Sequence, residues 1–89
     1  MTNIITETGF QCELDERRMD DMELFDAVVA LQDGDATQIP RILSKLLPVQ
    51  EKKRLYDHCR LPDGRVPVEK VTAELNSIFS GMNGDGKKS

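Results

Sequence analysis

The chain is short of most of what catalysis and nucleic-acid readout require. Tryptophan is absent, and three Phe and one Tyr leave little aromatic surface on which bases or sugars could stack. His58 is the one histidine. With Cys12 and Cys59 it makes up the whole supply of imidazole and thiolate ligands, and zinc asks for three or four such groups at workable spacing. Residues 58 and 59 adjoin on a helix, so their side chains point about 100° apart, which also denies a Cys59 nucleophile its base. No glycine-rich phosphate loop is present. The expectation is a protein that is not an enzyme and has neither metal nor cofactor. Apolar runs last only a few residues, so neither a signal peptide nor a membrane span is expected. Two cysteines without a secretory signal read as reduced thiols of a cytoplasmic protein.

Calcium fares no better. "DGDATQIPRILS", Asp33 to Ser44, opens like an EF-hand loop, but Gln38 stands where glycine is needed and Ser44 where a bidentate Glu is needed. The Lys52-Lys53-Arg54 cluster reads as a solvated helix face, since Glu51 and Asp57 dilute it and no aromatic platform accompanies it.

What the chain does have is charge, distributed unevenly. Residues 1–37 carry ten acids against Arg17 and Arg18, a net −8, whereas residues 38–70 carry eight bases against four acids, a net +4. An acidic first half argues against nucleic acid as a partner, because phosphate binding needs a concentrated basic face. Two readings remain for the polarity: the halves complement each other within one molecule, or oppositely charged faces drive head-to-tail self-association.

Eighty-nine residues suffice for one small domain with one core. Its fold is expected to be mainly α, a small bundle of about four helices with a short N-terminal β-strand or hairpin. Residues 4–14, "IITETGFQCEL", alternate in polarity, with Phe10, Cys12 and Leu14 on one side and Glu7-Thr8-Gly9 as a turn. The first helix is expected from about Asp20 to Leu31, started by Asp20, Asp21 and Glu23 and ended by "QDGD". It is apolar on two sides: Met22, Phe25 and Val29 form one stripe, and Leu24, Val28 and Leu31 another. Pro40 to Leu47 forms the second helix, with Ile39, Ile42, Leu43, Leu46 and Leu47 as its stripe. An Asp35–Gln38 capping pair is available there, although Ile39, preceding a proline, resists helical dihedrals. The third helix runs from Pro48 to about Arg60, with Val49, Leu55, Tyr56 and Cys59 sharing a face. The fourth runs from Pro67 to Ser80, with Val68, Val71, Leu75, Ile78 and Phe79 inward. Gly81 is placed as its left-handed C-cap, and residues 82–89 as a disordered tail beyond a domain of residues 1–81.

Between the last two helices, "LPDGRVPVE" is joint chemistry. Asp63 and Gly64 supply a turn with Gly64 at positive φ, and Pro67 takes the first helical position.

The order of these motifs resembles a known family. "GFQCELDE", then "DDMELFDAVVALQDGD", then "IPRILSKLL", then "KKRLYDHCRLPDGRVPVEKVTAELNSIF" is similar to the short tail assembly chaperones of siphovirus-type phages and prophages of Gram-positive bacteria. The likeness spans residues 9–80. Its most specific parts are the "DDMEL" helix start at 20–24, "IPRILSKLL" at 39–47 and "DGRVPVE" at 63–69. The resemblance implies a helper that coats the tape measure protein, keeps it soluble and recruits major tail tube protein. It would act in the cytoplasm of the bacterial host and be absent from the mature virion. It also implies that a longer frameshifted product is made in some members, and the closing "GDGKKS" is compatible with a slippery sequence. Partner contact, with a homo-oligomer possible along the tape measure, is expected through Leu24, Val28 and Leu31, together with Phe79 and Met82. The alternatives are a small adaptor or regulator that docks on polymerase or a repressor, and a structural component of the tail.

Overall fold

Alternating burial along the N-terminus produces strand pairing. The computed structural model describes residues 2–83, with side chains as far as Gly81. Strand β1 (Thr2–Ile5) pairs antiparallel with β2 (Gln11–Leu14), setting Thr2 opposite Leu14 and Ile4 opposite Cys12. Ile4, Phe10, Cys12 and Leu14 are buried, while Asn3, Ile5, Gln11 and Glu13 face out. The connection is a turn closed by a left-handed glycine, a favoured form of short hairpin loop. The Thr6 N–H donates to the Phe10 carbonyl at 2.9 Å, the Gly9 N–H to the Thr6 carbonyl at 2.9 Å, and Gly9 has φ +91°. The buried Thr6 hydroxyl accepts from the Phe10 N–H at 3.1 Å.

After a short 3₁₀ turn at Glu16–Met19, α1 covers Met22–Gln32. Asp21 is its N-cap, accepting from the N–H groups of Glu23 at 2.9 Å and Leu24 at 3.4 Å. Its end is a Schellman motif: Gly34, at φ +102°, donates to Leu31, and Asp35 donates to Ala30. Asp35 then caps a second 3₁₀ turn, Ala36–Gln38, through the Thr37 N–H, and its other oxygen takes the Gln38 amide at 3.0 Å. That turn leads directly into α2 (Ile39–Leu46). Ile39 is fully helical at φ −56°, ψ −50°, despite the resistance to helical dihedrals expected of a residue before proline; the preceding turn already sets the helical course.

α2 is the centre of the molecule. Ile42, Leu43, Leu46 and the following Leu47 are almost wholly buried, packed with Leu14, Leu24, Leu55, Leu75 and Ile78 from the other elements. Each such side chain contributes about 1.5–3 kcal/mol relative to exposure. Pro48 opens α3 (Val49–Cys59), its carbonyl receiving the Lys52 N–H at 2.9 Å. Leu55 and Cys59 are buried and Tyr56 is half-buried, but Val49 is 84% exposed. Val49 therefore does not share their packing: Cβ atoms tilt toward the helix N-terminus, so the first residue projects past the core.

The joint that follows α3 repeats the hairpin's construction. Leu61 N–H donates to the Arg65 carbonyl at 2.8 Å, Gly64 N–H to the Leu61 carbonyl at 2.9 Å, and Gly64 lies at φ +95°. Asp63 accepts from the Arg65 N–H at 3.0 Å and from its guanidinium at 2.7 Å. Pro67 lies just before α4 (Val68–Asn83), and its carbonyl receives the Val71 N–H at 3.2 Å. Gly81 is inside α4 and is not its C-cap. A Cβ there would stand 3.1 Å from Ile4 Cγ2 and 3.3 Å from Ile4 Cδ1, so this glycine lets β1 lie close against the last helix. The tail expected at 82–89 lies outside the described residues, apart from the helical backbone of 82 and 83.

Candidate functional site: an uncharged groove between the first and last helices

The site begins with the two-sided helix α1. Leu24 and Ala27 are buried, Val28 and Leu31 are half-buried, and Met22 (68%), Phe25 (60%) and Val29 (43%) are exposed. Asp21 fixes the start of the helix, and α2 takes up the side carrying Leu24 and Ala27. α4 supplies the opposite wall, presenting Thr72, Asn76, Phe79 and Ser80. Between them lies a depression of about 690 Å³ whose apolar lining comes from Met19, Leu24, Phe25, Val28, Leu31 and Phe79. Its polar lining is Gln32, Thr72, Asn76 and Ser80. No charged side chain lines it, in a chain of which 31% is charged. Leu31, Thr72 and Asn76 are shared with a second depression of about 440 Å³, which continues past Gly34, Ala36 and Val68 and acquires its one charge at Glu69. Val68 is 64% exposed, so the apolar surface is continuous beyond the end of α1.

The fold brings together Leu24, Val28, Leu31 and Phe79, four of the five residues expected to meet a partner. Leu24, 2% exposed, belongs to the molecule's own core and forms the groove's floor. The Met82 side chain lies outside the described residues. The outward stripe is the other one, Met22, Phe25 and Val29, of which Phe25 lines the groove. Both stripes are visible in the sequence, but which one faces solvent depends on where α2 packs. Met19, from the 3₁₀ turn, and the uncharged polar wall of α4 have no sequence signal of their own.

A second cluster gathers under the hairpin tip. Thr8 Oγ1 donates to Glu74 Oε2 at 2.7 Å, which leaves its oxygen to accept the His58 Nε2–H at 2.8 Å. His58 also lies against the Phe10 ring, centroids 5.3 Å apart. His58 thereby pins the hairpin to α3. The Thr8 hydroxyl thus bridges Glu74 and His58 across the hairpin tip. The buried thiols nearby are poor nucleophiles. Burial, then Glu51, pushes Cys12 up to about 11, and burial, then Glu74, raises Cys59, so little thiolate is present near neutrality. Among the described residues no group of three His, Cys, Asp or Glu side chains stands where it could hold a metal ion, and no helix is long and apolar enough to cross a membrane.

Fold and site together define a mainly helical domain with a two-stranded hairpin and an uncharged groove between α1 and α4. No protein-family model, curated protein or solved structure matches the chain.

Proposed function

We propose that this chain is a non-enzymatic tail assembly chaperone of a siphovirus-type phage or prophage. It coats the tape measure protein in the host cytoplasm, keeps it soluble, recruits tail tube protein and leaves before the virion is complete. The order of sequence motifs from "GFQCELDE" to "ELNSIF" supports the family. One structural observation supports binding: an uncharged groove with exposed Phe25 in its lining, on a helix that also exposes Met22 and Val29. Exposed apolar surface of this kind, depleted of charge, suits a protein partner, and a groove between two helices suits a helix. Many weakly held copies along a long helical rod would give firm coverage by multivalency and still be displaced by tube subunits.

The test is co-expression with the cognate tape measure protein. The soluble fraction of the tape measure should rise, and a complex with many copies per tape measure should be recovered at low salt. Equal solubility with and without the chain, and no complex, would defeat the proposal. Stoichiometric retention in purified particles would make the protein a tail component.

A further inference from the structure

The polar side chains of the groove are all of one kind. Gln32, Thr72, Asn76 and Ser80 carry amides and hydroxyls, each of which both donates and accepts hydrogen bonds. Such a group can pair with a copy of itself, as two carboxylates or two ammonium groups cannot. Gln32, Asn76 and Ser80 are exposed, and among the described residues their side chains have no hydrogen-bond partner. Phe25 lines the same depression and is 60% exposed. The acids of α1 lie elsewhere, since Glu23 and Asp26 line a separate depression with Arg41 and Lys45. One face therefore carries an apolar projection, an apolar hollow and polar groups able to pair with their own kind, and it carries no charge.

Those properties select a second copy of the chain. With a net charge of −4 two copies repel, and a twofold contact brings the charges near its axis toward their own counterparts, which is penalised. The groove escapes that penalty. Residues 84–89, "GDGKKS", offer no apolar side chain to fill the hollow, and a strongly charged partner helix finds nothing in its lining to pair with. We infer that the protein forms a twofold dimer closed through the groove between α1 and α4. Phe25 of each protomer enters the hollow of the other against Val28, Leu31 and Phe79, and the amides and hydroxyls of the two copies pair across the axis. α1, with 11 residues, spans about 16 Å, and α4 covers about 12 Å from Thr72 to Ser80. A patch of that size buries less than the ~800 Å² per partner of a stable interface, so association is weak, with Kd on the order of 100 μM. The free protein thus keeps its docking face covered, and another partner must displace the second copy. This rests on the binding reading above only in treating the groove as a docking surface.

Sedimentation equilibrium of the full chain, from about 10 μM to about 1 mM, tests it. The mass should rise toward twice that of the monomer and stop there, and backbone amide shifts over the same range should map to Gln32, Thr72, Asn76 and Phe79. Phe25→Ser with Val29→Ser, both exposed, should weaken the dimer at least roughly tenfold with unchanged circular dichroism. Charge at the exposed Asn76 gives a sharper reading. Asn76→Asp and Asn76→Lys should each weaken self-association at low salt, because every substitution appears twice about the axis, whereas an equimolar mixture of the two should associate more tightly than either alone. A monomer at every concentration, a mass that climbs past the dimer, shifts mapping elsewhere, or a dimer indifferent to both sets of variants would overturn the inference. So would a monomer whose groove shifts respond only to an uncharged leucine–serine helical peptide, which would assign the face to a foreign helix. The two readings fail separately. A tape measure solubilised by a chain that never dimerises refutes the dimer alone; a dimer with these properties beside an unaffected tape measure refutes the chaperone alone.

Discussion

Glu74 is 4% exposed, with Oε2 bonded to Thr8 and Oε1 without a hydrogen-bond partner among the described residues. Burying a carboxyl group with one oxygen unsatisfied is costly, and the Thr8 hydroxyl offsets part of that cost. Thr8→Val should therefore lower stability by about 1–3 kcal/mol. Glu74→Gln keeps an acceptor for Thr8 and removes the charge, so in that background the Thr8→Val penalty should shrink. Denaturant titrations of the two single variants and the double variant measure the coupling. An unchanged penalty would mean that Thr8 acts only within its turn. Little of this was legible in advance: Glu74 reads in the sequence as one more charged residue of an amphipathic helix. Only the hairpin's arrival on α4, where Glu7 N–H also donates to the Ser77 hydroxyl at 3.0 Å, places it inside.

At the scale of elements, helix and turn starts depend on aspartates whose carboxyls are held below their ordinary range. Asp15 is lowered to about 2, chiefly by the Arg17 guanidinium and then the Arg17 N–H. Thr37 and Gln38 lower Asp35, and the Arg65 N–H and guanidinium lower Asp63. At Asp21 desolvation raises the value, but the Leu24 and Glu23 N–H groups and Lys45 together outweigh it. A folded-state value below the unfolded one gives stability that is full above the unfolded value, near 3.9, and is lost as pH falls through the folded value. Melting temperature should therefore hold steady down to about pH 4 and fall toward pH 2. Asp21→Asn preserves a good cap and removes one titrating group, so its melting temperature should fall less steeply over that window. A parallel fall would show that the Asp21 cap does not contribute. These starts were legible because capping and proline chemistry are local: Asp21, Asp35 and Pro48 mark boundaries within a residue or two. The end of α4 was not. Gly81 looks like a C-cap in sequence, and only the approach of Ile4 from the far end of the chain shows that its missing side chain is a packing requirement.

For the molecule as a whole, the uneven charge of the sequence is joined at one side chain. Lys45 on α2 reaches Asp21 at 3.4 Å and Glu23 at 3.1 Å, while Arg18 from the acidic half donates to the Lys45 carbonyl at 3.1 Å. The other described ion pairs are local, such as Arg54 with Glu51 and Arg60 with Asp57. Complementarity between the halves is therefore concentrated at the α1–α2 contact. Lys45→Gln should lower the melting temperature at low salt, and the loss should diminish as salt rises, since these groups are near the surface and screened. A loss independent of salt would assign Lys45 a packing role through its aliphatic stem.

The close approach of Ile4 to Gly81 also bears on how the protein is made. The hairpin is synthesised well before the helix against which it packs, with three other helices between them. Throughout translation Ile4 and the residues that pair with it must wait with their apolar side uncovered, and contacts of such long sequence separation form slowly. A nascent chain halted before α4 therefore exposes the apolar face of a hairpin that the finished protein conceals, the kind of surface that ribosome-associated folding helpers bind.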